Sequence, residues 1–197
     1  MKYSSGLTKK PLWFSESKKT AKYMLNNLNR KDVIELAIKN NIYQVETENR
    51  AKTIANTCFT RLNTLPKDIL KDIISTDLIS SKVLVLISVM KTDKLFFEFI
   101  YEVFRNKIIL GEMFIEDKDL NIFFDEKILQ SDIVSSWSDY NIKKLKSSYL
   151  TILSFSGLIN RENGKNKIFI PIIDYNVEQD LIKNNLDHYL KAINGNL

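Results

Sequence analysis

The chain has 197 residues, 44% of them hydrophobic, which is enough for one domain or two small helical ones with a packed core. One cysteine and one histidine argue against a disulfide framework, a zinc site and a histidine-based catalytic triad. Neither GxxxxGK nor GxGxxG occurs, which disfavours enzymes that depend on nucleotides. We therefore expect no catalytic residues, no metal and no cofactor.

The charge is distributed unevenly along the chain. Residues 1–31 carry a net charge of +7 and residues 138–167 a net charge of +4, whereas residues 32–137 sum to −4. Two basic regions that flank an acidic middle are typical of a protein with a polyanionic partner. A solvated lysine-rich surface produces the same pattern, so charge alone leaves both interpretations open.

The N-terminal residues and the longest apolar run determine what the sequence predicts about secretion and membrane insertion. The first residues have no apolar core behind their charges, so we expect no signal peptide. The longest apolar run without a charge, Val83 to Met90, is far shorter than the roughly 20 residues that a membrane-spanning helix needs. We expect a cytoplasmic protein that does not contact a membrane.

The first half of the sequence predicts an arm followed by helices. Residues 3–14 contain Gly6 and Pro11 and lack a helical period, so they predict an extended arm whose Leu12, Trp13 and Phe14 anchor it to a helix. Ser15 is a suitable N-cap for the helix that follows. Apolar residues at helical spacing then predict helices over 15–27, 31–40, 48–63, 66–75, 77–91 and 93–110.

The composition shifts after Gly111, which places the best domain boundary near 111–115. We predict a helical bundle lobe over 1–111, with the arm, and a second lobe over 112–197. In the second lobe the pattern predicts helices over 116–129, 139–156 and 177–193. Two β-prone runs, 158–161 and 167–172, enclose Asn163-Gly164, which is a strong hairpin signal.

The order of helix, turn, helix and basic hairpin is that of a winged helix-turn-helix, in which the second helix enters the major groove and the hairpin contacts the backbone. Asparagine reads adenine edges, and lysine and arginine neutralise phosphates. The predicted DNA-facing side chains of this lobe are Asn141, Lys143, Lys144, Lys146, Arg161, Lys165 and Lys167. A partner-docking module has the same order, so this alternative stays open.

A second candidate surface lies at the N-terminus. Lys18 and Lys22 are four residues apart and share a helix face. With Lys9 and Lys10 of the arm, and with Lys19, they would form one basic ridge that contacts a DNA backbone. Alternatively, the arm only covers an apolar groove and its lysines are solvated.

Three other features point to chemistry less strongly than to structure. Asp125-Glu126-Lys127 contains a D-x-K triplet found in some nucleases, but helical spacing after Phe123-Phe124 predicts that the two acids face solvent. Cys58 lies on an apolar helix face, which is typical of a small core residue. His188 is more often a surface or hydrogen-bonded histidine than a catalyst.

Several motifs resemble the BrxA family of bacteriophage-exclusion (BREX) systems over about residues 3–160. In chain order they are Tyr3-Ser4-Ser5-Gly6-Leu7-Thr8-Lys9-Lys10 with Leu12 and Glu16; Asn41-Ile42-Tyr43-Gln44 with Arg50; Arg61-Leu62 with Leu65; Phe123-Phe124 with Lys127; and Leu153 with Gly157-Leu158-Ile159. The resemblance implies a mainly helical fold in two lobes, the first similar to the NusB antitermination fold.

The same resemblance implies double-stranded DNA binding, no known catalysis, and work beside a methyltransferase, an ATPase and other BREX proteins. We therefore expect an all-α, NusB-like bundle followed by a winged-helix-like lobe with a small hairpin. The expected function is non-enzymatic DNA binding in phage defence. A protein–protein adaptor for BREX assembly and an RNA-binding, antitermination-like protein remain as alternatives.

Overall fold

A computed structural model describes residues 2–195 of the chain. Met1 of the predicted lobe 1–111, and Asn196 and Leu197 of the predicted lobe 112–197, lie outside the described residues. The arm was predicted to be extended, but it contains one turn of 3₁₀-helix, Gly6–Lys9, before the first α-helix. The fold is mainly helical with a small antiparallel sheet, which confirms the predicted fold class at that level.

The elements follow one another with short connections. In chain order they are α1 (Phe14–Leu25), α2 (Arg30–Lys39), α3 (Glu48–Leu62), α4 (Lys67–Ser75), α5 (Leu78–Met90), α6 (Lys94–Phe99), a π-helical turn (Ile100–Phe104), α7 (Arg105–Ile109), β1 (Phe114–Ile115), α8 (Asp117–Gln130), α9 (Asp132–Ser135), α10 (Asp139–Ser156), β2 (Ile159–Glu162), β3 (Lys165–Ile168), α11 (Tyr175–Lys183) and α12 (Asp187–Asn194).

Local capping explains why the helices begin and end where they do. The Thr47 side chain accepts a hydrogen bond from the Arg50 amide at the start of α3, and Ser138 accepts one from the Asn141 amide at the start of α10. Gly157 ends α10 with φ 84°, a left-handed conformation that glycine adopts without steric cost. These ends agree with the predicted ones.

One predicted helix cap and one predicted helix length are wrong. Trp13, with φ 49°, occupies the N-cap of α1, so Ser15 lies inside the helix and does not cap it. The predicted last helix over 177–193 is two helices, because Asn185 adopts φ 56° between α11 and α12. Asparagine tolerates this left-handed conformation better than most residues, and it turns the chain without a glycine.

The main hydrophobic core crosses the predicted boundary near 111. Phe96 and Phe99 of α6 contact Tyr149 of α10, with ring centroids 5.0 and 5.3 Å apart, and Phe124 of α8 lies 5.6 Å from the same ring. One cluster of buried side chains includes residues from the arm to α12. A second, smaller cluster lies around α2 and α3. The division into two domains stays a prediction.

The sheet has the strand order β1-β3-β2, and both pairings are antiparallel. Asn163 and Gly164 form the predicted tight turn, with φ values of 51° and 79° that suit a type I′ hairpin. The second hairpin strand therefore begins at Lys165 and ends at Ile168, earlier than the predicted 167–172. β1 was absent from the predicted elements, and it pairs with β3 so that the hairpin is joined to the start of α8.

Candidate nucleic-acid interface

An open groove of about 920 Å³ lies between α8, α10 and the β2–β3 hairpin. The exposed face of α10 forms one wall, because its buried side chains, among them Leu145 and Leu153, point the opposite way into the core. Leu120 and Ile128 of α8, and Ile159 of β2, add apolar surface to the lining. The groove is therefore built by the three elements that sequence analysis placed in a helix-turn-helix order.

Three of the predicted DNA-facing cations line this groove together, namely Lys143, Lys146 and Arg161. Lys143 and Arg161 are exposed. Lys146 is half-buried, and its ammonium donates to Asn121 Oδ1 at 2.8 Å and lies 5.6 Å from the centre of the Phe124 ring. Its position is therefore fixed, whereas the other two side chains are open to a ligand.

The groove also contains three carboxylates, Asp117, Asp125 and Asp139. Formal charges inside the lining therefore balance. Any attraction for phosphates must come from the rim and from neighbouring surfaces, since the three acids oppose an anion inside the groove. The basic net charge of residues 138–167 did not predict these three carboxylates in the groove.

The remaining predicted residues of this lobe lie outside the groove lining. Lys144 is exposed and its ammonium lies 5.6 Å from the centre of the Tyr140 ring. Exposed Lys165 lies 5.5 Å from the Phe114 ring, and Lys167 pairs with Glu162 at 3.3 Å. Asn141 is half-buried. Lys144 and Lys165 thus remain available at the surface, while part of the Lys167 charge is neutralised within the hairpin.

The N-terminal lysines occupy a separate part of the molecule. Lys9, Lys10 and Lys22 are exposed, and Lys18 is half-buried. Lys19 is exposed but donates to the Ile42 carbonyl at 2.9 Å. Of the three predicted anchors of the arm that carries Lys9 and Lys10, Leu12 is buried, whereas Trp13 and Phe14 are half-buried. A ridge formed by these five lysines stays a prediction.

The D-x-K triplet, Cys58 and His188 lie in three different environments. Asp125 and Glu126 are exposed, as predicted, and no group of acidic, histidine or cysteine side chains suited to a metal occurs within residues 2–195. Burial raises the pKa of the Cys58 thiol to about 11, so this core residue stays protonated at neutral pH. His188 is exposed and its ring lies 4.1 Å from that of Tyr189.

Among residues 2–195, no helix is both long enough and apolar enough to cross a bilayer.

Comparison with known proteins places the chain in a family. The BrxA family model matches residues 1–185. A curated relative from Bacillus cereus (strain H3081.97), named "BREX protein BrxA", is 41% identical over 179 residues, which cover 91% of this chain and 90% of the relative. The chain belongs to the BrxA family. As a member, it is a component of a BREX phage-defence system.

The BrxA-family fold also occurs in a solved structure of low sequence similarity. The crystal structure of an uncharacterised protein from Magnetospirillum magneticum superposes with a TM-score of 0.82 and covers 98% of both chains at 16% identity. At this identity the likeness shows the shared fold alone.

Arg61 and Lys127 appeared in the sequence analysis only as parts of motifs, and their burial was not predicted. Arg61 of α3 is 3% exposed and donates to the carbonyls of Lys10 and Pro11. Lys127 of α8 is 4% exposed and pairs with Glu98 and Glu102, each at 2.8 Å. Each residue lies beside an apolar stripe of its helix, and this position could have predicted from the sequence that its charge is buried.

Proposed function

We propose that this BrxA-family protein is a non-enzymatic component of its BREX system that binds double-stranded DNA through α10 and the β2–β3 hairpin. The observation that carries the proposal is that Lys143 of α10 and Arg161 of the hairpin, both exposed, border the same open groove. Helix and hairpin thus present cations on the same side of the molecule, which is what a duplex contacted at two points requires.

The expected mode of binding is mainly electrostatic. Exposed Lys143, Lys144, Lys165 and Arg161 can contact phosphates from the rim. The carboxylates inside the groove disfavour deep insertion of the backbone, so sequence reading should be weak. If four to six phosphates are neutralised, log K should fall against log salt with a slope between about −4 and −5.

The first test is a gel shift with duplex DNA and duplex RNA, without any partner protein. We expect a shift of duplex DNA at low salt that weakens steeply towards physiological salt. Binding that does not depend on salt, or no binding at low salt, would contradict the proposal. A shift of duplex RNA alone would instead favour the antitermination-like alternative.

The second test locates the surface by charge reversal. Lys143→Glu with Lys144→Glu should weaken binding alike on every DNA sequence and leave the fold intact, since both side chains are exposed on the face opposite the core. The matched control is Lys31→Glu with Lys52→Glu, which changes the net charge equally at exposed sites on α2 and α3. Equal losses in both double variants would show that net charge, and not this surface, controls affinity.

A protein–protein adaptor is the second candidate, and the balanced charge of the groove favours it. Asp117, Asp125 and Asp139 weaken attraction for phosphates but would pair with basic side chains of another protein. Other BREX proteins are the natural partners in that case. The gel shift separates the two candidates, because the adaptor predicts no shift of DNA or RNA by the protein alone.

A further inference from the structure

A second groove of about 490 Å³ lies on the other flank of α8. Its walls are α8 on one side and the π-helical turn with α7 on the other. Along α8, Asp125 and Ile128 face the first groove, whereas Ile122 and Glu126 face the second. The helix therefore separates the two grooves, and a ligand in one leaves the other accessible.

Some of the apolar side chains that line this second groove are exposed to solvent. Val103, Leu110, Ile122 and Phe123 provide its apolar lining. Leu110 is 71% exposed and Ile122 is 57% exposed, whereas Val103 is half-buried and Phe123 belongs to the core. Single exposed apolar residues are ordinary, but apolar side chains gathered in one concave site, rimmed by charges, are typical of an interaction surface.

The charges around the second groove have mainly one sign. Its lining contains one cation, Lys107, and four acids, which are Glu102, Glu112, Asp119 and Glu126. Lys107 is already engaged by Glu112 and by Asp119, the latter at 2.9 Å. Desolvation lowers the pKa of Lys107, but its bonds to the two carboxylates outweigh this and raise the pKa overall. Glu102 in turn pairs with buried Lys127 at 2.8 Å. The groove therefore offers a smaller surplus of negative charge around an apolar centre, and this surplus rests mainly on exposed Glu126.

The backbone at the groove is also irregular. Glu102 and Val103 belong to the π-helical turn between α6 and α7, where the α-helical hydrogen-bond pattern is interrupted. Turns of this kind are rare and occur frequently at functional sites. Here the turn places one acid and one apolar side chain into the groove, while Phe104 stays in the core.

We propose that this groove docks a basic amphipathic helix of a protein partner. A helix with one apolar stripe fits a cleft between two helices, and flanking lysines or arginines would meet the acidic rim. A second copy of this chain is a poor occupant, because Leu7, Leu12 and Ala21 of its own basic region 1–31 are buried in the fold. The protein would then bind DNA on one flank of α8 and a protein on the other.

The probe is a fluorescent designed peptide of about 18 residues, long enough to form a helix on binding, with leucines at helical spacing and lysines elsewhere. A second peptide replaces every lysine with glutamate and keeps the leucines. Fluorescence anisotropy with the full chain measures both affinities at low salt. We expect the basic peptide to bind and the acidic peptide to bind at least about tenfold more weakly, because it meets like charges.

Variants on α8 locate the binding. Ile122→Ser should weaken the basic peptide about fivefold through lost apolar contact, and Glu126→Lys about threefold through reversed charge. The matched controls are Leu129→Ser and Asp125→Lys, which make the same changes at exposed positions of α8 outside this groove. Both controls should stay within about twofold of the unmodified chain. DNA binding of Ile122→Ser should remain unchanged.

Three results would overturn the proposal. The first is equal affinity for the basic and acidic peptides. The second is a loss in Asp125→Lys as large as that in Glu126→Lys, which would assign the effect to net charge. The third is self-association of the chain that Ile122→Ser abolishes, because the groove would then hold a second copy. A failure of DNA binding does not affect this test, since the two grooves are assayed separately.

Discussion

Arg61 should be a principal anchor of the N-terminal arm, and its replacement by methionine tests this. Its guanidinium is buried and donates to the Pro11 carbonyl at 2.7 Å and to the Lys10 carbonyl at 2.8 Å. It also lies 5.9 Å from the centre of the Trp13 ring. Methionine keeps much of the apolar stem but cannot donate, so two carbonyls of the arm lose their partner.

The expected loss of stability is the difference between the hydrogen bonds that Arg61→Met removes and the desolvation cost that it relieves. Each short bond to the charged guanidinium contributes about 1.5–3 kcal/mol, so the two together contribute about 3–6 kcal/mol. Burial lowers the pKa of Arg61 to about 10. This lowering corresponds to a desolvation cost of about 3 kcal/mol, which Arg61→Met recovers. We expect a net destabilisation of about 2 kcal/mol and a fall in Tm of about 4–8 °C.

Thermal unfolding and hydrogen exchange together check this prediction. Exchange should accelerate at the amides of residues 7–14 more than elsewhere, because the arm is released locally. Arg50→Met is the control, since Arg50 lies exposed on the same helix. If Arg61→Met unfolds at the unmodified temperature and the arm exchanges no faster, apolar burial of Leu7 and Leu12 alone holds the arm, and the reasoning is refuted.

Three further predictions concern charge, pH and backbone. Lys9→Glu with Lys10→Glu should leave unfolding unchanged and weaken DNA binding at low salt only if the basic ridge exists; an unchanged isotherm would eliminate the ridge. Burial and the nearby Asp180 carboxylate raise the pKa of Asp72 from 3.8 to about 6, so its contribution to stability is lost as pH rises from about 4 to 6. Asp72→Asn should remove that loss and stabilise the protein at pH 7 by about 1 kcal/mol after allowance for solvent screening, as denaturant unfolding at several pH values would measure. Gly157→Ala should cost about 1–2 kcal/mol in the same assay, because φ 84° strains a side chain although nothing lies within 4 Å of the new methyl group.

The features of the fold that the sequence predicted well are local ones. The apolar period and the Thr47 cap predicted α3, and Asn163-Gly164 predicted the hairpin, because each depends on residues a few positions apart. The split between α11 and α12 was missed because Ile182, Leu186 and Leu190 follow one another at intervals of four residues, as on one helix face. The buried residue at this end of α11 is instead Leu181, and the interval of five from Leu181 to Leu186 accommodates the turn. Leu181, Leu186 and Leu190 are all buried, so burial continues while the backbone turns.

The candidate sites were predicted less completely, because they depend on pairings between distant segments. β1 has two residues, too few for a period, and its partner β3 lies some fifty positions later. Charge counting along the chain found the cations of α10 and the hairpin but not the acids that face them from α8. The acidic second groove was not predicted for the same reason, since the π-helical turn, the loop after α7 and helix α8 each supply only part of its acids.

Tyr149 links the proposed DNA-binding helix to the rest of the core. We expect its ring to stabilise the fold and its hydroxyl to contribute nothing or to destabilise it. Its ring lies against Phe96, Phe99 and Phe124, with centroids 5.0–5.6 Å away. Its hydroxyl is buried and has no hydrogen-bond partner among the described residues. Desolvation raises the pKa of this hydroxyl well above its ordinary value, so it stays protonated and neutral.

Removal of the hydroxyl alone should therefore cost nothing. We expect Tyr149→Phe to match or exceed the unmodified stability by up to about 1 kcal/mol, since burial of an unpaired hydroxyl is unfavourable. Tyr149→Leu should cost about 3 kcal/mol, because it removes most of the ring contacts in a fully packed core. Urea unfolding measures both, and DNA binding of Tyr149→Phe should be unchanged because the side chain points away from the exposed face of α10. A loss above about 1 kcal/mol in Tyr149→Phe would mean that the hydroxyl has a partner in solution, and the core around α10 would then contain a polar contact rather than aromatic packing alone.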